Sequence, residues 1–259
     1  MIVFFDIDGT LITEDEQQIL PDSTVYAIQT LRRNGHLAFI NTGRTLFNVI
    51  HQSYVQKIGF DGYVCACGAH IRYRGKDLLS TLVPDDVHDR IVDAARSCQV
   101  ELMMEGPEFF YFDLTQPMCL VRKRLFSRDP SRSRSVDEPG KQFNKFVTWE
   151  RPGCAIDLFH QAVSPWFTHI DRGNGFHEYC LHDFSKATGI QFIADLFEKP
   201  LDSCYVIGDS MNDESMLNYV KHSILMGNGT EALKSQVEFV TRDILDDGIE
   251  FALEHYHLI

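Results

Sequence analysis

The sequence is short of positive charge and has no long apolar run. Its 259 residues include 24 Lys and Arg against 37 Asp and Glu, which gives a formal net charge of −13. Because affinity for phosphate backbones comes largely from Lys and Arg, this balance argues against a nucleic-acid-binding protein. No apolar stretch approaches the ~20 residues of a membrane span, and the first residues show no basic region or cleavage site of a signal peptide. We therefore expect a cytoplasmic protein that does not bind membranes.

Cysteines at regular spacing are also missing. The seven cysteines form an odd, scattered set, which does not fit a secreted disulfide framework. Cys65 and Cys67 alternate in YVCACGA, but no second Cys or His pair stands at zinc spacing. We therefore interpret them as neighbours on one face of a strand. The eleven histidines show no ligand spacing, so none is assigned to a metal.

Short apolar runs alternate with helical patterns at both ends of the chain. The helical patterns cover residues 22–34 and 186–199. Runs without polar alternation are typical of strands that are buried on both faces. Such an alternation predicts an α/β fold with an open, doubly wound, Rossmann-like parallel sheet. The apolar runs occupy residues 2–5, 37–40, 205–208 and 223–227.

The middle of the chain has a different pattern. Its strand segments (ELMME, FFYFD, KFVTW, FTHID and FHEYC) alternate polar and apolar residues, which indicates a second sheet with one wet face. The segment 127–141 has no apolar period and is predicted to be a loop. We predict an inserted α+β cap domain over residues 83–183 with the order αββαβαββ, and a catalytic core formed by 1–82 and 184–259. The helical patterns of the insertion lie at 85–98, 116–126 and 152–163.

Polar residues follow the apolar runs at the positions where open α/β sheets bind ligands, the carboxyl ends of the strands. Taken singly, each fragment is more often a turn, a helix cap or a surface charge. Their joint occurrence after the right strands favours one site. The candidates are Asp6 and Asp8 after the first run, Thr42, Gly43 and Arg44 after the second, Asp209, Asn212 and Asp213 after the third, and Lys186 at the start of the helix that follows the insertion.

Four carboxylates in one crevice would repel one another by several kcal/mol without a positive charge among them. Oxygen-only ligands favour Mg²⁺ over zinc, which would draw Cys and His. An EF-hand is excluded because its loop has glycine at position 6, whereas Gly9 falls at position 4. We expect Asp209 to bind Mg²⁺ and Asp213 to orient that ligand from behind.

A carboxylate, a metal ion, a hydroxyl and a lysine together suit phosphoryl transfer. Asp6 would attack phosphorus and form an aspartyl-phosphate, while Asp8 would donate a proton to the leaving oxygen and later take one from water. The Thr42 hydroxyl and the first amides of the following helix would hold phosphate oxygens, and Gly43 and Arg44 are assigned to the same phosphate-binding group. Lys186 would add positive charge and restrain Asp6.

The motifs resemble those of a known family. DIDGT at 6–10, NTGR at 41–44, Lys186 and GDSMND at 208–213 are similar to the four motifs of the haloacid dehalogenase (HAD) superfamily. The long insertion between the second and third motifs resembles the type IIB cap of its Cof-like phosphatases. The resemblance spans the chain and implies a phosphoric monoester hydrolase.

The resemblance also implies roles for individual residues. By it, Asp6 is the nucleophile, Asp8 is the acid/base, and Mg²⁺ is held by Asp6, the backbone carbonyl of Asp8 and Asp209. Asn212 would reach the phosphoryl group, and MGNGT around Asn228 is similar to a late loop of the family beside the site.

The expected substrate is a small phosphorylated metabolite, with a sugar phosphate as the favoured class and a monomer or homodimer as the expected state. A phosphomutase of the same superfamily stays open as an alternative, as does a phospho-accepting signalling receiver, although a receiver is about half this length. A binding protein on an inactive scaffold would have lost one of the chemical residues, and all are present.

One basic cluster stands out in the acidic chain. It could recognise a second anionic group of the substrate. The favoured interpretation is a solvated helix end and loop, because the segment is polar and loop-like. The cluster consists of Arg122, Lys123, Arg124, Arg128, Arg132 and Arg134.

Overall fold

The computed structural model describes residues 1–259, with the exception of the side chain of Arg128. The chain forms two compact units. The core unit comprises Met1–Leu79 and Phe184–Ile259, and the insertion unit comprises Ser80–Asp183. Among the helices that the structure describes, none is long and apolar enough to cross a membrane.

The first segment of the core unit alternates strands and helices. Helix α1 begins after Pro21, carries Asp22 in its first turn and ends with Arg32 and Arg33, so its charges suit the helix dipole at both ends. A strand hairpin that the apolar pattern did not predict closes the segment. The elements are β1 (Ile2–Phe5), α1 (Asp22–Arg33), β2 (Leu37–Asn41), α2 (Leu46–Ile50), α3 (Ser53–Ile58), β3 (Gly62–Cys65), β4 (His70–Tyr73) and β5 (Lys76–Ser80).

The insertion unit has the order αββαββαββ, one strand more than predicted. The prediction of a continuous loop over 127–141 was wrong, because residues 133–135 form a short strand that pairs in parallel with its neighbour. The elements are α4 (Asp85–Ser97), β6 (Glu101–Glu105), β7 (Phe110–Phe112), α5 (Leu120–Arg128), β8 (Ser133–Ser135), β9 (Lys145–Trp149), α6 (Ile156–Val163), β10 (Phe167–Asp171) and β11 (Phe176–Leu181).

The chain then returns to the core unit. A capping box between Ser185 and Thr188 fixes the start of the first returning helix. The strands that follow are short and almost wholly buried. The elements are α7 (Lys186–Leu196), β12 (Cys204–Gly208), α8 (Glu214–Leu217), β13 (His222–Leu225), β14 (Phe239–Val240) and α9 (Gly248–His255).

The core sheet has the strand order β14-β13-β12-β1-β2-β3-β4-β5. Strands β14 to β3 pair in parallel along this order, and β4 runs antiparallel to β3. Val3 and Phe5 belong to the apolar cluster on one face, and Ile2 and Phe4 belong to the cluster on the other. This confirms the predicted doubly wound sheet. Because β1 pairs with both β2 and β12, the carboxyl ends of these three strands are neighbours.

The insertion sheet has the order β10-β11-β9-β6-β7-β8. One face packs against α4 and α6 through residues such as Phe146, Phe159 and Tyr179. The prediction that the other face is wet was wrong for the central strands, because all five residues of β6 are buried. That face carries its own small apolar cluster around Met103 and Val147, and its charged residues are paired.

The basic cluster is not a uniformly solvated run. Arg122 is fully buried, and its guanidinium lies 3.1 Å from a carboxylate oxygen of Glu101. Arg132 is also buried and donates to the backbone carbonyl of Glu108 at 2.7 Å. The solvated interpretation was therefore wrong for these two arginines, which serve the packing of the insertion unit. Lys123 and Arg124 are exposed as expected, and the side chain of Arg128 lies outside the described residues.

Cys65 and Cys67 do not share a strand face. Cys65 ends β3, and the next three residues form a 3₁₀ turn in which Cys67 has a φ of 53°. The prediction of a plain strand was therefore wrong at this point. Gly68 follows with a φ of +94°, and a Cβ there would lie 2.4 Å from the Ser185 carbonyl oxygen. Glycine is required because this turn packs directly on the residue that caps α7.

Candidate active site

Three of the predicted carboxylates meet at the carboxyl edge of the core sheet. Asp6 follows β1, and its N–H donates to the Ile207 carbonyl at 3.0 Å, which extends the pairing of β1 with β12 by one residue. Asp209 directly follows β12. One carboxylate oxygen from each of Asp6, Asp209 and Asp213 lies within 4.8 Å of the others, and all three residues are buried. The neighbouring strand ends thus bring together residues from the beginning and the last quarter of the chain.

Lys186 is the first residue of α7 and is 2% exposed. Its Nζ donates to Asp6 Oδ1 at 2.6 Å and also to Asp213 Oδ1. The capping box at Ser185 sets where the helix begins, and so aims the lysine into the acidic cluster. The lysine is therefore not a surface charge but the cation between two buried carboxylates.

Asp213 holds the turn that carries Asp209. Its Oδ2 accepts from the backbone N–H groups of Asp209 at 2.9 Å and Ser210 at 3.1 Å. A Cβ on Gly208 would come within 2.6 Å of the Asp213 carboxylate, so only glycine allows this approach. Because Lys186 and the two backbone N–H groups together occupy both oxygens of Asp213, Asp6 and Asp209 are the members of the cluster that can bind a metal ion.

Arg44 is paired with Asp8. Its Nε donates to Asp8 Oδ2 at 2.9 Å, and its Nη2 donates to Oδ1. The Nη1 group of the same guanidinium donates to the Tyr54 hydroxyl at 3.2 Å. The two parallel hydrogen bonds fix the carboxylate plane of Asp8. The guanidinium that the sequence pattern assigned to the phosphate thus contacts the predicted acid/base in this structure.

Thr42 and Asn212 lie in the turns after β2 and β12, at the same edge of the sheet. Thr42 is buried, its N–H donates to the Val64 carbonyl at 2.9 Å, and its Oγ1 accepts from the Arg44 N–H at 3.2 Å. Gly43 stands between these two residues. The Asn212 Oδ1 accepts from the Ser210 hydroxyl at 2.7 Å. The turns are thus held by local hydrogen bonds.

Two further polar residues shape the site. The Thr10 hydroxyl donates to Asp209 Oδ1 at 3.0 Å. Asn228 Nδ2 donates to the Gly9 carbonyl at 2.8 Å, while its Oδ1 accepts from the Ile244 N–H at 3.0 Å. Gly9 has a φ of +79°, and a Cβ there would lie 2.3 Å from Asp209 Oδ2. The hydroxyl that ends DIDGT was the available signal for Thr10, but sequence reasoning gave that residue no role.

The acidic cluster holds more negative charge than its buried lysine balances. Burial raises the pKa of Asp6 to about 7; Asp213 adds to the rise and Lys186 opposes it. Burial raises the pKa of Asp209 to about 9, with Asp213 and Asp6 adding to the rise. A divalent cation would relieve this repulsion. All donor atoms of the cluster are oxygens, and Gly9 lies beside Asp209 without a Cβ that would crowd its carboxylate. Such a site fits Mg²⁺.

A doubly wound sheet of this kind, with aspartates and a buried lysine at its carboxyl edge, is an arrangement suited to phosphoryl transfer. A family model for haloacid dehalogenase-like hydrolases matches residues 3–253. The chain belongs to this family, which confirms the resemblance seen in its motifs. Membership of a hydrolase family excludes the signalling-receiver alternative.

The relatives agree with this assignment. The chain is 25% identical to the 5-amino-6-(5-phospho-D-ribitylamino)uracil phosphatase YitU of Bacillus subtilis (strain 168), over 98% of this chain and 97% of that protein. It is 24% identical to the HMP-PP phosphatase of Serratia proteamaculans (strain 568), over 89% and 85%. The HAD subclass IIB sugar phosphatase BT4131 has the same fold, with a TM-score of 0.84 and 24% identity over 100% of this chain and 99% of that chain.

These comparisons establish the class of reaction. The protein is a phosphatase of the HAD superfamily.

Proposed function

We propose that the protein is a Mg²⁺-dependent phosphatase that hydrolyses a small sugar phosphate through an aspartyl-phosphate on Asp6. The observation that carries this proposal is the buried contact of 2.6 Å between Lys186 Nζ and Asp6 Oδ1, next to Asp209. The lysine contacts Oδ1 of the Asp6 carboxylate and so orients the group that attacks phosphorus.

In the first step, Asp6 Oδ2 attacks phosphorus and the bond from phosphorus to the ester oxygen breaks. Asp8, in its protonated form, donates a proton to the departing oxygen, which leaves as an alcohol. The phosphoryl group is then covalently bound to Asp6. Arg44 keeps the Asp8 carboxyl in one orientation during this transfer.

In the second step, water attacks the same phosphorus and the bond to Asp6 breaks. Asp8, now a carboxylate, takes the proton of that water and returns to its starting form. Inorganic phosphate leaves and Asp6 is regenerated as a carboxylate. One acid/base therefore serves both half-reactions, because each moves one proton in the opposite direction.

The other predicted residues bind the phosphoryl group or the ion. The Thr42 hydroxyl, the Gly43 amide and the Asn212 side chain would hold phosphate oxygens. Asp6, Asp209 and the backbone carbonyl of Asp8 would hold Mg²⁺. When bound, the ion neutralises charge on the phosphoryl oxygens.

The names of two relatives support the substrate class. BT4131 is described as a sugar phosphatase, and the YitU substrate carries its phosphate on a ribityl group. A sugar phosphate and the YitU substrate both carry a phosphate ester on a polyhydroxylated carbon chain. We propose a substrate of this kind for the present protein.

The nucleophile is tested by Asp6→Asn, with phosphate release from a generic aryl phosphate as the measurement. We expect turnover to fall by about 10³-fold or more, because the amide cannot attack phosphorus. Asp202→Asn is the matched control, since Asp202 is an exposed aspartate of the core unit, and it should keep full activity. Turnover near the control level in Asp6→Asn would reject Asp6 as the nucleophile.

The substrate class is tested by a panel of phosphorylated metabolites assayed for free phosphate and for isomerised sugar phosphate. We expect phosphate release to be highest for sugar and polyol phosphates. Isomerised product without free phosphate would instead establish the phosphomutase alternative. A preference for nucleotides would reject the sugar-phosphate assignment while leaving the phosphatase chemistry intact.

A further inference from the structure

Three histidines of the insertion unit form a cluster. His160 lies on α6, His169 on β10 and His177 on β11, and one ring nitrogen from each lies within 4.8 Å of the others. The rings of His160 and His169 stack with centroids 3.9 Å apart. His169 Nε2 lies 2.8 Å from His177 Nδ1.

The sheet register explains how the cluster forms. In the antiparallel pair of β10 and β11, His169 stands opposite Tyr179, and Asp171 stands opposite His177. His169 and His177 are therefore diagonal neighbours on one face of the sheet. This is the face against which α6 packs, as Tyr179 shows by its edge contact with Phe159 at 5.5 Å between ring centroids. Since each histidine comes from a different element, their sequence spacing matches no local metal-binding motif.

The hydrogen bonds of the cluster leave nitrogen lone pairs in its interior. Among the described residues, the buried His160 Nε2 has no hydrogen-bond partner. A buried polar nitrogen without a partner carries a cost that a bound ligand would remove. His177 Nε2 lies 2.8 Å from Glu150 Oε1. If that nitrogen carries the proton for Glu150, the lone pair of His177 Nδ1 faces the other two rings.

The surroundings of the rings agree with this geometry. Packing against the neighbouring rings desolvates His169 and His160 in part and lowers the pKa of both. A carboxylate stands next to them, with Asp171 Oδ1 3.9 Å from His177 Nδ1.

We propose that His160, His169 and His177 bind a divalent transition-metal ion, with Zn²⁺ as the favoured ion and Asp171 as the fourth ligand. Three imidazole nitrogens and one carboxylate form a ligand set typical of zinc. Glu150 positions His177, as carboxylates commonly do behind a metal-bound histidine. Coordination replaces the contact between His169 and His177, and the proton that His169 Nε2 donates in that contact moves to the outward ring nitrogen Nδ1.

This nitrogen-rich site differs in chemistry from the aspartate cluster of the core unit. Hard Mg²⁺ prefers oxygen ligands, whereas imidazoles prefer Zn²⁺, Co²⁺, Ni²⁺ or Cu²⁺. Because its ligands come from α6, β10 and β11, a bound ion would join the helix to the edge hairpin of the insertion sheet. The ion would therefore stabilise the insertion unit without taking part in phosphate chemistry.

The experiment is a titration of the full-length protein with Co²⁺, followed by Zn²⁺, in excess Mg²⁺ that fills the aspartate site. We expect one Co²⁺ per chain with the strong visible absorption bands of tetrahedral coordination, and stoichiometric displacement by Zn²⁺. Failure of the wild-type protein to bind either ion would overturn the proposal.

Substitutions in the histidine cluster test whether the ion binds there. His169→Gln and His160→Gln should each abolish the visible bands, and Glu150→Gln should weaken affinity roughly 10- to 100-fold. His169 is exposed, so its substitution should be tolerated by the fold, which circular dichroism verifies. His182→Gln is the matched control in the same unit, because His182 bonds to Thr168 and Ser164 instead. Bands that persist in both cluster variants, or that vanish in Asp209→Asn, would place the ion elsewhere.

Discussion

At the scale of single residues, the most consequential interaction is that of Lys186 with two buried carboxylates. Its contacts to Asp6 and Asp213 are both made away from water. Burial lowers the pKa of Lys186, but the attraction of the two carboxylates outweighs it and the net shift is upward. The ammonium group of Lys186 therefore stays charged at neutral pH.

Removing that charge should destabilise the core unit. We expect Lys186→Met to lower the free energy of unfolding by about 3–5 kcal/mol, because two buried carboxylates lose their cation. Urea denaturation in the absence of Mg²⁺ measures the change. The double variant Lys186→Met with Asp213→Asn should recover part of the loss, since one of the unpaired charges is gone. Equal stability of the single variant and the wild type would contradict this account of the site.

The pairing of Arg44 with Asp8 gives a second prediction at this scale. Lysine cannot reproduce the two parallel hydrogen bonds that hold the Asp8 carboxylate. We expect Arg44→Lys to lower kcat by roughly 10- to 100-fold through misplacement of Asp8, with a smaller change in KM. Steady-state kinetics with the best substrate of the panel measure both constants. Arg33→Lys, at an exposed arginine of α1, is the control. A change confined to KM would show that Arg44 only binds substrate.

At the scale of elements, one carboxylate joins the two strands of the β4–β5 hairpin. Asp77 accepts from Arg72 Nε at 2.6 Å and Nη2 at 2.7 Å, and lies 3.0 Å from His70 Nε2. The Arg72 hydrogen bonds outweigh burial and hold the pKa of Asp77 at about 2, below its ordinary value of 3.8. The carboxylate is thus stabilised in the folded hairpin.

The lowered pKa of Asp77 determines how the stability of the folded protein changes with pH. A group whose pKa is lower in the folded state contributes stability above its unfolded pKa, and this contribution is lost as the pH falls from about 4 to about 2. Because Asp77 is partly exposed, we expect Asp77→Asn to cost at most ~1 kcal/mol at pH 7. Thermal unfolding of the wild type and of Asp77→Asn across this pH window measures the contribution of Asp77 to stability. A difference that stays constant down to pH 2 would contradict the assignment.

The sequence was informative wherever local pattern decides structure. The runs at 2–5 and 205–208 became β1 and β12 because strands buried on both faces must be continuously apolar. Strand β8 was missed because its residues are all polar and it forms only by pairing with β7. The left-handed turn at Cys67 was missed because L-residues rarely adopt that conformation.

The functional residues also fall into those that the sequence could predict and those that it could not. Asp6, Asp209 and Lys186 could be predicted because each follows or begins a recognisable element, and the rule that ligands bind at strand ends brings them together. The burial of Arg122 and the meeting of His160 with His169 could not be predicted. Both depend on contacts between elements distant in sequence, on which periodicity carries no information.

At the scale of the whole molecule, each unit has its own apolar clusters. Phe146 is fully buried in the insertion unit, where its ring stacks on Tyr179 at 4.5 Å between centroids. We expect Phe146→Ala to cost about 3–5 kcal/mol and to speed amide hydrogen exchange within Ser80–Asp183 far more than in the core unit. Ile207→Ala, in β12, should give the reverse pattern. Uniform loss of protection along the chain would mean that the two units unfold together.

The capping box at the start of α7 affects how this fold can evolve. Ser185 and Thr188 set the first turn of the helix by local hydrogen bonds, and the insertion unit ends just before them at Asp183. The hydrogen bonds that place Lys186 therefore involve no residue of the insertion unit. They do not depend on the length or the composition of that unit. A lineage built on this scaffold can exchange that entire segment by recombination and keep its reactive machinery in register.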